Sequence, residues 1–147
     1  MTSAYCLLCD WPAADREFDR VEVWRDHLWR VTTSLAAPVP GFSYLEPRRH
    51  IPHITDLDSE EAATLGARLA WVTSVLREAA AADLVYVNVF GERVAHLHFN
   101  LTPHRAGDAL QGGRAMIAPD ASPPPRPELQ DVSDRLRQAL NAANWRG

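Results

Sequence analysis

The most constraining feature of the chain is the segment 95–101, in which polar and apolar residues alternate with a period of two. Because successive side chains of a β-strand point to opposite faces of the sheet, we expect His96, His98 and Asn100 on one face and the apolar residues in the core. Imidazole suits proton transfer, nucleophilic attack and metal ligation near neutral pH. The two histidines, His96 and His98, therefore indicate a functional site. The alternative is that both lie on the solvated face of an antiparallel strand without a function.

The composition is that of one globular domain. The 147 residues are 46% hydrophobic and 23% charged, which is enough to bury a core. The net charge of -4 argues against nucleic acids and membrane surfaces as partners, because both are bound through basic patches. All 15 basic residues are arginine, so Schiff-base chemistry and a phosphate-loop lysine are excluded. No signal peptide or membrane-spanning run is visible, and we expect a cytoplasmic protein.

Hydrophobic periodicity predicts an α+β domain with a central, mostly antiparallel sheet, one long helix and a C-terminal helix. We expect residues 1–104 to form this domain, and residues 105–147 to form a Pro-rich extension and a C-terminal helix packed on it. A loop containing Pro12 is expected after the two cysteines, and a tight turn at 91–93 is expected to make a hairpin. The predicted strands are 18–24, 27–35, 42–46, 84–90 and 94–101, and the predicted helices are 58–82 and 128–142.

Cys6 and Cys9, the only cysteines, form a Cys-x2-Cys unit whose spacing lets two thiolates bind one tetrahedral zinc ion. Because no second such unit exists, the other ligands must be histidine or carboxylate. The alternatives are a redox pair and two unligated buried thiols. The redox interpretation is weakened because no helix is predicted to begin after the pair. The histidine candidates are His50, His53, His96 and His98.

A second polar segment follows the third predicted strand, at residues 46–53. Its histidines offer metal ligands, and Arg48 and Arg49 offer a clamp for an anion. The alternative for the two arginines is a solvated loop, since exposed arginine needs no special explanation.

Together these residues resemble the histidine triad superfamily of nucleotide hydrolases and transferases. The resemblance rests on the Cys-x2-Cys unit, a Pro-x-x-His element ending at His50, a long helix, and a late His-x-His-x-x strand followed by Pro103. It spans about two-thirds of the chain, from Cys6 to Pro103. The three polar positions of the family strand are occupied here by His96, His98 and Asn100.

This resemblance implies the fold of that family, a homodimer, and a zinc site. In zinc-containing bacterial members the equivalent ligands are Cys6, Cys9, His50 and His96. It also implies that His98 is the nucleophile, which attacks an α-phosphate and forms a nucleotidyl-imidazole. The metal would then pin the strand and aim His98, which is a positioning role.

The chain departs from the family pattern at three places. Asn100 replaces the third histidine and cannot change protonation state, although related transferases carry glutamine there. The phosphate-binding loop before the triad is shortened to residues 91–94. The acidic ribose contact that is usual near the second strand is missing, and Thr32, Thr33 and Ser34 occupy that region. The candidate catalytic residues are thus His98 and Asn100, and the candidate substrate-binding residues are Asn88, Arg93 and Ser34.

The sequence supports three functions on this basis. The first is an enzyme that hydrolyses or transfers nucleotide phosphoanhydrides or phosphoramidates through an intermediate on His98. The second is a zinc enzyme of the same fold in a small-molecule biosynthetic pathway, with His98 as general acid or base or with an open position on the metal. The third is a zinc-stabilised binding protein without catalysis.

Overall fold

The computed structural model describes residues 5–91, 93–108 and 121–143, and its centre is a five-stranded sheet. All neighbouring strands are antiparallel, and their order across the sheet is β1-β2-β3-β5-β4. The β4 strand therefore forms one edge. The strands are β1 (Arg20–Arg25), β2 (Trp29–Ser34), β3 (Ser43–Pro47), β4 (Leu84–Val89) and β5 (Phe99–His104).

In the part of the chain that the structure describes, three α-helices accompany the sheet: α1 (Trp11–Glu17), α2 (Ser59–Ala79) and α3 (Arg126–Ala142). The long helix α2 begins where the Asp58 carboxylate accepts hydrogen bonds from the amides of Glu60 and Glu61. The predicted α+β class, with a long central helix and a C-terminal helix, is confirmed. Within the described ranges, no helix combines the length and the apolar character needed to cross a bilayer.

The hydrophobic core lies between α2, α3 and one face of the sheet. Trp29 is fully buried there, and its indole N–H donates to the hydroxyl of Thr64 on α2. Gly41 precedes β3 with a positive φ of 84°, and an added Cβ would lie 3.0 Å from Val132 of α3. A side chain at that turn would therefore be strained and crowded. The fully buried apolar side chains of this core include Val31, Leu45, Val72, Leu76, Leu101, Leu136 and Leu140.

The C-terminal helix α3 is held on the outer strand β1 by polar contacts as well as by its apolar side chains. Arg126 forms a two-pronged ion pair with Asp19 at the start of β1. Arg137 and Asn141 donate to backbone carbonyls of β1 farther along the strand. The Arg126 guanidinium lowers the pKa of the Asp19 carboxyl.

The other face of the sheet carries a buried group of charges that we call the ion cluster: Asp15, Arg20, Glu22, Arg30 and Glu46. Arg20 and Arg30 both contact the Glu46 carboxylate, which is 1% exposed. Arg20 and Arg30 also pair with Asp15 of α1, so the cluster fastens this helix to strands β1, β2 and β3. Buried charges of this kind persist only when each has its partners.

The connection between the two strands of the predicted hairpin is longer than expected, so the predicted tight turn is wrong. We expected a tight turn at 91–93 and a strand over 94–101, but β5 begins at Phe99, and residues 90–98 form an irregular connection where they are described. The strand instead continues through Pro103, which pairs with Val85 of β4. The pairing of β5 with β3 ends at Leu101, so Pro103 stands in a part of β5 that has a strand partner on one side only. His96 and His98 consequently lie before the strand.

The expected loop after the cysteines is also wrong, because α1 forms there. Asp10 caps this helix by accepting a hydrogen bond from the amide of Ala13. Pro12, which we took as a loop signal, occupies the first turn, where its missing N–H costs nothing.

Candidate metal centre and active site

Four side chains from three separate parts of the chain converge beside the sheet. Cys6 and Cys9 bracket a single 3-10 turn at the N-terminal side, His50 follows β3, and His96 precedes β5. Their ligand atoms all lie within 4.8 Å of one another. This is the set of four residues that the sequence resemblance implied as zinc ligands.

The spacing of these atoms fits one tetrahedral metal ion. The distances from sulfur to imidazole Nδ1 are 3.4 Å for Cys9 to His50 and 3.6 Å from His96 to each of the two sulfurs. Tetrahedral zinc with its usual bond lengths to sulfur and nitrogen places these donors about 3.6 Å apart. Two thiolates and two neutral imidazoles also balance the charge of a dication. The residues therefore fit zinc by both geometry and chemistry.

His96 is held in the tautomer that a metal ligand requires. Its Nε2–H donates to the Pro47 carbonyl oxygen at 3.0 Å, which leaves the Nδ1 lone pair directed at the two sulfurs. The ring is 1% exposed, and burial lowers its pKa, with the nearby imidazole of His50 acting in the same direction. His96 is thus neutral near pH 7, as ligation demands.

The redox interpretation of the two cysteines loses its stated counter-argument. That argument, the absence of a following helix, is wrong, because α1 begins at Trp11. Desolvation and a hydrogen bond with Cys6 raise the pKa of the Cys9 thiol to about 11. The two imidazoles that lie beside the sulfurs favour metal binding instead.

The remaining polar residues of the loop 48–53 have other partners. Arg49 pairs with Glu61 at 2.7 Å, and Arg48 donates to the carbonyl of Asp26. His53 caps the short 3-10 helix Ile54–Asp56 and is absent from the four-residue cluster. Arg48 and Arg49 therefore stabilise the local structure through these contacts.

His98 lies next to this centre and has a defined tautomer of its own. Its Nδ1–H donates to the backbone carbonyl of His96 at 2.7 Å, so the lone pair resides on Nε2. The ring packs edge-on against Tyr44 with centroids 6.3 Å apart. A neutral imidazole with a free Nε2 is the form that can attack an electrophile.

A cavity of about 720 Å³ opens at His98, within the size range of small-molecule sites. Asn100 on β5 and Arg93 in the connection supply polar groups beside His98. Aromatic and aliphatic side chains form most of the remaining wall. The lining is Phe42, Tyr44, Val89, Phe90, Gly91, Arg93, Val94, His98 and Asn100.

Two of the proposed substrate-binding residues lie outside this lining. Asn88 pairs with Asn100 across β4 and β5, and its buried Oδ1 has no hydrogen-bond partner in the described structure. Ser34 ends β2, and its hydroxyl accepts hydrogen bonds from the amides of Ala36 and Ala37. Ser34 therefore caps a turn, whereas the structure brings His98, Asn100 and Arg93 together.

Sequence reasoning missed the aromatic residues around His98. Phe42 and Tyr44 lie in and before β3, and their rings contact each other with centroids 5.1 Å apart. Tyr44 pairs with Asn100 across β3 and β5, so both belong to the same sheet face. The signal was the alternation within β3, which places Tyr44 on the face opposite the buried Leu45.

No protein-family model matches the chain, and no curated protein sequence matches it either. Solved structures do match. A histidine triad protein from Bradyrhizobium japonicum superimposes with a TM-score of 0.74 at 24% identity, covering 86% of this chain and 95% of that one. The chain has the histidine triad fold.

Two other proteins with the histidine triad fold show how far the likeness extends. A Zn-bound histidine triad family protein from Mycobacterium smegmatis is 21% identical, with a TM-score of 0.66 and coverage of 93% of this chain and 96% of that one. A hypothetical histidine triad nucleotide-binding protein from Sulfolobus tokodaii is 19% identical, with a TM-score of 0.68 and 93% coverage of both chains.

Substitution of the two neighbouring histidines separates the metal site from the cavity. We expect His96→Ala to lose zinc, because it removes a buried ligand held by Pro47. We expect His98→Ala to retain about one zinc per chain, because His98 is outside the cluster. Metal analysis of both purified variants measures this. Zinc loss in both would show that the ligand set is wrong.

Zinc affinity should rise with pH. The Cys9 thiol, with a pKa of about 11, carries its proton in the zinc-free protein near neutral pH, and zinc must displace that proton. The apparent affinity should therefore increase at least about tenfold per pH unit across neutrality. Competition with a chromophoric chelator at several pH values measures it, and a flat profile would contradict a thiolate ligand.

Proposed function

We propose that the protein hydrolyses or transfers nucleotide phosphoanhydrides or phosphoramidates through a nucleotidyl intermediate on His98. The observation that carries this proposal is the hydrogen bond from His98 Nδ1–H to the His96 carbonyl, which leaves Nε2 as the nucleophilic atom beside a cavity. The histidine triad fold supports it, as does the nucleotide-binding description of the similar protein from Sulfolobus tokodaii.

The reaction takes two displacements at phosphorus. In the first, the Nε2 lone pair of His98 attacks the α-phosphorus, and the bond from phosphorus to the leaving oxygen or nitrogen breaks. The electron pair departs with the leaving group, which takes a proton from solvent when it is basic. In the second, water or an acceptor hydroxyl attacks phosphorus and gives up its proton to solvent, the P–N bond breaks, and its electron pair returns to Nε2.

The hydrogen bond at Nδ1 assists both displacements. While Nε2 is bonded to phosphorus the ring carries positive charge, and the His96 carbonyl oxygen stabilises it through Nδ1–H. The same bond fixes the ring orientation, so that Nε2 stays aimed at the reacting atom. His98 therefore needs no separate base to become a nucleophile.

Two further polar side chains bind the phosphoryl group in this proposal. Arg93 lines the cavity and offers a permanently charged donor for phosphate oxygens. Asn100 offers an amide donor but no transferable proton, so it stabilises charge without acting as an acid or base. Phosphoryl transfer depends chiefly on such positioning and electrostatic stabilisation.

Zinc, when bound, would cross-link the N-terminal turn of Cys6 and Cys9 to His50 and His96. Four protein donors complete a tetrahedral shell, which leaves no open position for water or substrate. This argues against the alternative of a zinc-activated water. The cysteine thiols remain available for metal in a reducing compartment such as the cytoplasm.

The intermediate on His98 is directly testable. The protein, incubated briefly with adenosine or guanosine phosphoramidate and quenched, should carry a nucleotide adduct on the peptide containing His98, detected by mass spectrometry. His98→Ala should give no adduct and should lose at least about a thousandfold in turnover, because the covalent route is removed.

His53→Ala is the matched control for this experiment, because His53 is exposed and contributes to neither site. It should form the adduct as the unchanged protein does. An adduct on another residue, or turnover that survives in His98→Ala, would contradict the proposed nucleophile.

We also propose that two copies associate through β4. This edge strand and the residue that follows it expose apolar side chains on both faces of the sheet, namely Leu84, Val87, Val89 and Phe90, which are 40–58% exposed. Edge strands with unpaired backbone and apolar side chains favour pairing with another chain. Light scattering should give twice the mass of one chain, and Val87→Arg should reduce it. A monomer mass for the unchanged protein would contradict the dimer.

A further inference from the structure

His98 lies between two cavities. The large one carries Arg93 and Asn100, and a second one of about 110 Å³ adjoins it on the side of the N-terminal segment. The two share Tyr44, Val94 and His98, so a molecule reacting at His98 reaches into both. The small cavity is lined by Leu8, Phe18, Arg20, Tyr44, Val94 and His98.

The walls of the small cavity suit a flat, largely apolar group. Four of its six lining residues, Leu8, Phe18, Tyr44 and Val94, are aliphatic or aromatic. A hydrated phosphate would lose its water against such walls without compensation. A heterocyclic ring, by contrast, gains contacts with Leu8, Phe18 and Tyr44.

Arg20 is the exception in these walls, and its charge is already neutralised. Its Nε–H donates to Asp15 at 2.9 Å, and its two terminal nitrogens donate to the Glu46 carboxylate at 3.1 Å each. The guanidinium carbon also lies 5.8 Å from the Phe18 ring centre and 5.7 Å from the Tyr44 ring centre. Arg20 is therefore rigidly held, and it offers a bound anion little net attraction.

What Arg20 still offers is directional hydrogen bonding. The three bonds use three of the five N–H groups of a guanidinium, and the others have no partner within the described residues. A guanidinium can only donate, so it favours an acceptor such as a ring carbonyl. An amino group that faces the guanidinium finds no hydrogen-bond acceptor there. An unpaired polar group in a buried site costs free energy of binding.

We propose that Arg20 is a specificity-determining residue that selects a nucleobase with a ring carbonyl over one with an amino group at the same position. This inference rests on the proposed function, because it assigns the base of a nucleotide to the small cavity and the phosphate to the large one. The preferred substrates are then nucleotides of hypoxanthine or guanine, and adenine nucleotides are poorer.

Inosine and adenosine monophosphate form a matched pair, because they share ribose and phosphate and differ at position 6 of the base, a carbonyl in one and an amine in the other. Titration calorimetry of each nucleotide into the zinc-loaded protein should give a dissociation constant at least about fivefold lower for inosine monophosphate. Equal affinities, or tighter adenosine monophosphate, would overturn the inference and leave the proposed function standing.

Arg20→Gln tests the residue itself, because glutamine offers both a donor and an acceptor and so accepts either base. The ratio of the two dissociation constants should fall to within about twofold. Arg30→Gln is the control, since Arg30 belongs to the same ion cluster and binds Glu46 but does not line the small cavity. Its ratio should remain that of the unchanged protein.

The outcomes distinguish a failure of the Arg20 inference from a failure of the proposed function. Binding of both nucleotides with an unchanged ratio in Arg20→Gln overturns the role of Arg20 only. Binding of neither nucleotide to the zinc-loaded, unchanged protein overturns the nucleotide proposal and this inference together. Where Arg20→Gln fails to fold, as judged by circular dichroism, the comparison on the unchanged protein still decides whether the carbonyl is preferred.

Discussion

The structure around the site depends on how His96 is held. Its Nε2–H is bound to the Pro47 carbonyl at the end of β3, and its Nδ1 faces the sulfurs of Cys6 and Cys9. Its backbone carbonyl accepts the Nδ1–H of His98. His96 thus connects the sheet, the candidate metal ligands and the imidazole of His98 at the cavity. The tautomers of His96 and His98 follow from the backbone oxygens that they contact, because a carbonyl oxygen can only accept a hydrogen bond.

Much of this arrangement could be predicted from the order of the residues. The alternation in the segment 95–101 correctly placed Leu97, Phe99 and Leu101 in the core. The cysteine count also restricted the remaining metal ligands to histidine or carboxylate, and the structure brings two of the four candidate histidines, His50 and His96, to the two cysteines. The core prediction succeeds because periodicity is a local property of a sequence, whereas zinc binding by these four residues stays a prediction that their spacing fits.

Other features required the three-dimensional structure. The α1 helix was missed because its length of seven residues gives too little periodicity and its Pro12 also signals a loop. The start of β5 was misplaced because alternation continues through the irregular residues His96 and His98, although strand pairing begins only at Phe99. The ion cluster was not predicted because Glu46 is distant in sequence from Asp15 and Arg20, and each residue alone resembles a surface charge.

The ion cluster has a consequence for the N-terminal segment. Among the described residues this segment contributes no strand to the sheet. It is attached through the Asp15 carboxylate, through the Trp11 ring, which lies against Arg30, and through the cysteine sulfurs. The five strands and the two large helices share a core that contains none of these attachments. In such an architecture a metal ion held by the two cysteines, His50 and His96 would fix the position of the His98 imidazole, while the hydrophobic core holds the sheet and the two large helices together without it.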